Sequence, residues 1–197
     1  MVEDKNEQVI DNKKRCPWPN KNPLMIKYHD QEWGVPIHDD QKLFEFLILE
    51  GAQAGLNWET ILNKRENYKN AFDNFDPKKI ALYNDKDVER LLKNSGIVRN
   101  RLKIKSVINN AKIFFEVKEE FGSFDKYIWG FTYYKTIKNK IKTSGNYIVT
   151  SKESDAMAKD MKKRGFKFVG STICYAYMQA IGMVNDHTVD CFLYDEV

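Results

Sequence analysis

The stretch from Leu43 to Trp58, LFEFLILEGAQAGLNW, constrains the fold more than any other part of the chain. Its apolar residues recur at i, i+4, i+7 and i+11, and this spacing predicts a helix over residues 43–52. Glu50 falls inside the apolar stripe of that helix. A carboxylate in such a place must be paired, protonated or facing a cavity, because burying an unpaired charge is very costly. Glu50 is therefore a candidate functional residue, and an internal cap or ion pair stays open as the alternative.

The residues after Glu50 predict the wall of a pocket. Two glycines, Gly51 and Gly55, allow a flexible corner. They are followed by Leu56, which we expect to be exposed, and by Trp58, which offers a broad aromatic face. An acid, a corner and an indole therefore lie close together along the chain.

The fold class predicted from the remaining patterns is all-α. Beyond the central helix, we predict helices at about 24–30, from 58 to 72, from 77 onward, from 85 towards Gly96, from 99 onward, at 124–129, between 151 and 165, and at 170–182. No run of alternating strand residues is found. We expect residues 1–14 to form a flexible N-terminal extension and residues 15–197 to form a single α-helical domain.

Composition favours a soluble intracellular protein. Apolar residues make up 42% of the 197 residues and charged residues 30%, which is ordinary for a globular domain. The formal charge of +4 permits an anionic partner without demanding one. No apolar run approaches the roughly 20 residues that span a bilayer. The three cysteines argue against a disulfide framework, so we expect a cytoplasmic, reduced location and no membrane contact.

Two cysteines and two histidines near the chain ends are candidate metal ligands. Cys16 and His29 lie in an irregular, proline-rich segment, and His187 and Cys191 lie near the C-terminus. The spacing of the second pair fits one helical turn, which would point both side chains in one direction. Two Cys and two His form a closed tetrahedral zinc set. The spacing of the first pair is loose, so unrelated core or surface residues remain the alternative.

A basic cluster follows the turn at Ser95 and Gly96. Its members are Arg99, Arg101, Lys103 and Lys105. Apolar patterns on both sides of the turn predict two helices joined as a hairpin. Backbone N–H groups at such a turn can hold a phosphate, and the helix dipole assists. The alternative is a solvated charged face.

Five separated blocks of the sequence resemble the bacterial DNA-3-methyladenine glycosylase I family, of the helix-hairpin-helix superfamily of DNA glycosylases. The blocks are YHDQEWGVP, LEGAQAGLNW, KRENY, KKRGFKFVGSTICY and NDH, in the family's order. The resemblance extends from about Arg15 to Cys191. It implies a helix-hairpin-helix glycosylase fold in which a structural zinc joins the N- and C-terminal segments. The chain departs from the superfamily in its turn, SGIVRNR, which lacks the common Gly-x-Gly, and in lacking the usual catalytic Asp after it.

The resemblance also implies roles for individual residues. The ligands of one structural Zn²⁺ would be Cys16, His29, His187 and Cys191. The base pocket would consist of Glu50, the carboxylate that recognises the base and the one catalytic residue, and of Trp18, Tyr28 and Trp58. The DNA contacts would be Gly55, Leu56, Ser95, Gly96, Arg99 and Arg101.

The implied activity is removal of 3-methyladenine from double-stranded DNA by a monomeric enzyme. The base is flipped out and its N-glycosidic bond hydrolysed, which leaves an abasic site. No lysine can be assigned as a Schiff-base nucleophile, so we predict a monofunctional enzyme without strand cleavage. Two alternatives remain: a zinc protein that only binds DNA, and an enzyme that acts on free nucleosides.

Overall fold

The computed structural model describes residues 12–197, and this part of the chain is built mainly of α-helices. The α-helices in it are α1 (Pro23–Gln31), α2 (Asp40–Gln53), α3 (Trp58–Leu62), α4 (Arg65–Ala71), α5 (Pro77–Ala81), α6 (Asp85–Lys93), α7 (Arg101–Phe121), α8 (Phe124–Trp129), α9 (Lys152–Lys163) and α10 (Ser171–Ala180). Short 3-10 helices cover Asp73–Phe75, Gly130–Thr132 and Ser144–Asn146. Two strands, β1 (Ile137–Lys138) and β2 (Val184–Asn185), pair in parallel. The predicted fold class is confirmed as a mostly helical fold, and the small sheet is an addition to it.

Side-chain caps explain where the two central helices begin. Asp39 accepts a hydrogen bond from a backbone N–H in the first turn of α2 at 2.8 Å. Asn100 does the same for α7 at 3.0 Å. Because Asn is among the preferred N-cap residues, α7 begins at Arg101 and not at the predicted position 99.

Two further predicted boundaries are wrong for local reasons. The helix predicted from 58 to 72 is two helices, α3 and α4, because the N–H of Lys64 bonds to Ile61 O at 3.0 Å in a tight turn. Helix α6 ends at Lys93, before the predicted stop at Gly96. There Asn94 takes an extended backbone and its side chain accepts the N–H of Gly96 at 2.8 Å.

Helix α2 runs through the core and carries Glu50 with it. It packs against α7, α8 and α10, and most of its side chains are buried. After α10 the chain turns at Gly182, which has φ +76°. A Cβ at Gly182 would lie 2.4 Å from backbone atoms of Val35 and Pro36, so only glycine lets these segments meet.

The two ends of the described chain also meet. Lys14 O accepts a hydrogen bond from Phe192 N at 2.9 Å, and the Lys14 ammonium lies 2.5 Å from Asp190. Residues 1–11 of the predicted extension lie outside the described residues. Within 12–197, no helix combines the length and hydropathy needed to cross a bilayer.

Candidate functional site

A cavity of about 300 Å³ opens beside the C-terminal half of α2. Its walls come from α1, α2, α3 and α10, from the segments on either side of α1, and from the segment that precedes α9. The residues that line it are Trp18, Tyr28, Trp33, Glu50, Gln53, Trp58, Tyr147, Ile148, Val149, Ala176 and Gln179. The four residues predicted for the base pocket thus all lie around one cavity.

Aromatic rings make up much of the cavity wall. The ring centroids of Tyr28 and Trp58 are 5.1 Å apart, and those of Trp18 and Trp33 are 4.9 Å apart. Burial first, and then the nearby Glu50, raises the pKa of Tyr28 well above its usual range, so its phenol stays neutral. Such surfaces suit a flat, polarisable ligand.

Glu50 is the one acid among the residues that line this cavity. Its side chain is almost completely buried, and burial raises its pKa to about 8. No described residue forms an ion pair with it, and its Oε2 atom has no hydrogen-bond partner in residues 12–197. The described residues therefore do not contain the internal ion pair of Glu50 that the sequence left open as an alternative. At neutral pH the carboxyl group of the free protein is mainly protonated.

Four buried polar atoms in the described chain lack a hydrogen-bond partner, and all four belong to residues of this cavity. They are Trp18 Nε1, Glu50 Oε2, Trp58 Nε1 and Tyr147 OH. Buried polar atoms are normally hydrogen-bonded, because leaving one unpaired costs about 1–3 kcal/mol. Their concentration at one place indicates a site that is completed by a polar ligand.

A second cluster brings together the four predicted metal ligands. The ligand atoms of Cys16, His29, His187 and Cys191 lie within 4.8 Å of one another, and all four residues are buried. The sulfur of Cys191 is 3.5 Å from His187 Nδ1 and 3.6 Å from His29 Nε2. The sulfur of Cys16 is 3.4 Å from His187 Nδ1. These residues could hold a metal ion between them.

The surroundings of the cluster orient both imidazoles for metal binding. His29 Nδ1 lies 2.8 Å from the carboxylate of Asp30, and His187 Nε2 lies 3.1 Å from Trp33 O. Both neighbours only accept hydrogen bonds, so these nitrogens carry the protons. The lone pairs of the other two nitrogens then point at the cysteines, which is the usual arrangement of metal-ligating histidines.

His187 and Cys191 do not share a helical turn, so that part of the prediction is wrong. The backbone there is held extended, because Thr188 pairs with Ile141 in an isolated bridge next to β1 and β2. A turn then brings Cys191 back, through a hydrogen bond from its N–H to Thr188 O at 2.8 Å. The two side chains converge through this turn.

The turn after α2 presents Leu56 at the surface. Gly55 has φ +76° and open space around its Cβ position, and Leu56 is 42% exposed, as predicted. Lys103 of α7 anchors this turn, since its ammonium donates to Ala52 O at 2.8 Å and to Ala54 O at 2.7 Å. A cation at the C-terminal end of a helix also complements the helix dipole. Burial lowers the pKa of Lys103.

The predicted hairpin consists of α6, the turn at 94–100 and α7. Ser95 is exposed in this turn, whereas the N–H of Gly96 already donates to the Asn94 side chain. Arg101 forms an exposed ion pair with Glu89 at 2.7 Å. Arg99 is exposed and has no ion-pair partner among the described residues. The available cation of this turn is therefore that of Arg99.

The model of the methyladenine glycosylase family matches residues 18–194, nearly the whole chain. The chain belongs to the methyladenine glycosylase family. The predicted family and the predicted enzyme class, a DNA glycosylase, are thereby confirmed.

Relatives within the methyladenine glycosylase family match over most of their own length. The chain is 48% identical over 180 residues to the DNA-3-methyladenine glycosylase 1 of Escherichia coli, covering 91% of this chain and 96% of that protein. A crystal structure of a 3-methyladenine DNA glycosylase I superposes with a TM-score of 0.89 at 49% identity, covering 91% and 98% of the two chains. A variant of such an enzyme, solved in complex with 3-methyladenine, gives 0.88 at 33% identity, covering 90% and 96%.

Sequence reasoning missed several residues of the cavity. Tyr147 comes from the least patterned part of the chain, where only the short run of residues 147–149 signals a buried face. Gln179 could have been found in the same way as Glu50, because it is a polar residue on an otherwise apolar helix. Lys103 was expected on the charged surface of the hairpin, but it serves the end of α2.

Proposed function

We propose that the protein flips 3-methyladenine out of double-stranded DNA into the cavity and hydrolyses its N-glycosidic bond. The products are the free base and an abasic site. The observation that carries this proposal is the buried, unpaired carboxyl group of Glu50 among aromatic rings. Further support comes from the relative solved in complex with 3-methyladenine, to which 90% of this chain aligns.

The positive charge of the damaged base explains why a carboxyl group and aromatic rings line the cavity. Methylation at N3 puts a positive charge on the base in DNA, and a positive ring over Trp58 gains about 0.5–2 kcal/mol. An opposite charge nearby favours the ionised form of an acid. The positive charge of the bound base therefore favours the ionised form of Glu50, whose proton is released to solvent, and the carboxylate accepts a hydrogen bond from the exocyclic amine. Normal adenine is neutral and offers no such exchange, so it binds more weakly.

The reaction requires mainly that the enzyme extrude the damaged base from the DNA and hold it. The leaving base departs as a neutral molecule once water attacks C1′ of the sugar, so no strong acid is needed. Glu50 holds and orients the cationic base while water attacks. None of the residues lining the cavity is a lysine, which supports a monofunctional enzyme without a Schiff-base step.

The DNA surface proposed here combines the turn after α2 with the hairpin. Leu56 fills the space in the stack that the base has left, while Gly55 supplies the turn. Flipping costs a few kcal/mol, and least for a damaged base. Ser95, Gly96, Arg99 and Arg101 lie at or beside the hairpin turn, and the two arginines hold phosphates.

We further propose that the cluster binds one structural Zn²⁺. Zinc–sulfur and zinc–nitrogen bonds of about 2.3 and 2.05 Å in a tetrahedron separate sulfur and nitrogen by roughly 3.5 Å. The distances from the sulfurs to the imidazole nitrogens, 3.4–3.6 Å, fit this value. Four protein ligands leave no open position for chemistry, so the ion ties the chain ends together.

One chain supplies both the cavity and the ligands, so we propose that the enzyme works as a monomer on DNA in the cytoplasm. The test is incubation with methylated duplex DNA, followed by chromatography of the released bases and a gel for strand breaks. Release of 3-methyladenine without breaks is expected. A protein that only binds DNA would release nothing, an enzyme for nucleosides would cleave 3-methyladenosine but not the duplex, and breaks without alkali would contradict the monofunctional mechanism.

A further inference from the structure

The cavity wall holds a second polar side chain with a fixed orientation, that of Gln179. It lies on the buried helix α10, one turn after Ala176, which also lines the cavity. Gln179 Nε2 donates to Asp186 Oδ2 at 2.7 Å. Its amide oxygen has no hydrogen-bond partner in the described part of the chain.

Asp186 is held firmly in its place. Its side chain is almost completely buried, and it also accepts from Tyr175 OH at 2.9 Å and from Asn139 Nδ2 at 2.6 Å. Asn139 follows β1 and Asp186 follows β2, so the paired strands set the two side chains side by side. The hydrogen bond from Asn139 N to Asn185 O at 3.0 Å extends this pairing.

A carboxylate only accepts hydrogen bonds, so the nitrogen of the Gln179 amide must face Asp186. The oxygen is then the end of the amide that is left for a ligand. Gln53 provides a contrast, because it lines the same cavity but has no side-chain hydrogen bond to any described residue. Gln53 can therefore turn either end of its amide towards a ligand, and Gln179 cannot.

We propose that Asp186 is a positioning residue that keeps the Gln179 oxygen towards the bound base, and that this acceptor selects a purine with an amine at position 6 over one with a carbonyl at that position. The inference rests on the proposed function, since it assumes that a purine enters the cavity. Methylated DNA contains both kinds of base. 3-Methyladenine carries an amine at position 6, which donates to the oxygen. 3-Methylguanine carries a carbonyl there, which would face another acceptor.

The test compares the affinities of the purified protein for free 3-methyladenine and free 3-methylguanine, followed by tryptophan fluorescence. In Asp186→Asn, the new amide can donate to Gln179, which frees the glutamine to flip. In Gln179→Met, the acceptor is removed and its volume kept. Each variant should lower the preference for 3-methyladenine about tenfold or more, the value of one hydrogen bond to an unpaired acceptor.

Tyr175→Phe is the matched control. It removes another hydrogen bond to the same carboxylate from the same helix, but it leaves the bond to Gln179. We expect it to lower the melting temperature without changing the preference between the two bases. Should Asp186→Asn fail to fold, Gln179→Met decides the question alone.

The inference is overturned if the folded variants keep the preference of the parent protein, or if Tyr175→Phe changes it as much as they do. Excision from methylated duplex DNA is measured beside it with the parent protein. If excision is normal and the preference between the two bases is unchanged, the role of Gln179 is refuted and the proposed function stands. A changed preference without any excision refutes the proposed function and leaves the selection of free bases standing.

Discussion

The Cys/His cluster and the cavity beside α2 are neighbours of opposite character. Trp33 contacts both, since its carbonyl accepts from His187 and its side chain lines the cavity. In the cluster, each imidazole nitrogen faces a partner or a sulfur. In the cavity, four buried polar atoms have no hydrogen-bond partner in the described chain.

This contrast distinguishes a cluster whose polar groups pair with one another from a cavity whose buried polar groups are left unpaired. A group whose partners come from the chain itself stabilises the fold. A group left unpaired lowers stability, and it persists where a ligand completes it. Removing a residue from the cluster should therefore cost stability, whereas replacing the buried acid of the cavity by an amide should increase stability as pH rises towards 8.

The largest effect is expected in the cluster. Cys191→Ser should lose the metal ion and more than about 5 kcal/mol of unfolding free energy, which is a fall in melting temperature of at least roughly 10–20 °C for a chain of this size. Metal analysis and calorimetry measure both quantities. Cys174→Ser is the control, because Cys174 is buried outside the cluster and should keep the metal. Equal metal contents in the two variants would show that Cys191 is not a ligand of a structural metal ion.

The next effect is the pH dependence of stability that Glu50 imposes. Its pKa of about 8 in the folded protein exceeds the 4.5 of a free glutamate. Between these values the folded state binds more protons than the unfolded state, so stability falls as pH rises, by up to about 5 kcal/mol. Glu50→Gln lacks this loss. Urea unfolding should show that the free energy of unfolding of the variant, relative to that of the parent, increases from pH 5 to pH 8. If the free energies of the two proteins change with pH in parallel, the acid is not desolvated.

A smaller effect concerns the anchor between the cavity wall and the hairpin. Lys103→Met leaves the carbonyls of Ala52 and Ala54 without their donor, which should cost about 1–3 kcal/mol. Excision from DNA should slow, while free 3-methyladenine should bind as before, because Lys103 does not line the cavity. The exposed Lys105→Met serves as the control and should stay within about 0.5 kcal/mol of the parent. A matching loss in both variants would point to general charge alone.

The smallest effect is expected on the DNA surface. Arg99→Ala should weaken binding to undamaged duplex and reduce the salt dependence by about one phosphate contact. Arg101→Ala should change the slope less, because Arg101 must first leave Glu89. Fluorescence anisotropy across a salt series measures both slopes. The reverse order would show that the Arg101 pair opens on DNA, and unchanged slopes would leave both arginines as solvated charges.

Hydrophobic periodicity predicts those features of the fold that depend on the residues of a single segment. The helix around Glu50 and its burial follow from the spacing of its own apolar residues, and the start of α2 follows from the Asp39 cap. Gln179 carries the same kind of signal on α10. These features need no knowledge of distant segments.

The rest depends on contacts between distant parts of the chain. The spacing of Cys16 and His29 does not indicate a metal site, because the sheet and the turn at 188–191 bring the other two ligands to them. Tyr147 has no periodic pattern around it. The fixed orientation of the Gln179 amide depends on Asp186, which Asn139 helps to hold, and these two residues follow two different strands. Only the family resemblance of the sequence brings the metal ligands together before the fold is seen.

The most direct test of the central claim is the affinity of Glu50→Gln for 3-methyladenine, with excision from methylated DNA measured beside it. The variant keeps the shape of the side chain but cannot become an anion. We expect affinity for the free base to fall by about one to two decades, because an amide donor can then face its exocyclic amine, and we expect excision of the cationic base from DNA to slow, with binding of undamaged duplex unchanged. A folded Glu50→Gln that binds the base and excises it as well as the parent would show that Glu50 is only a buried structural acid.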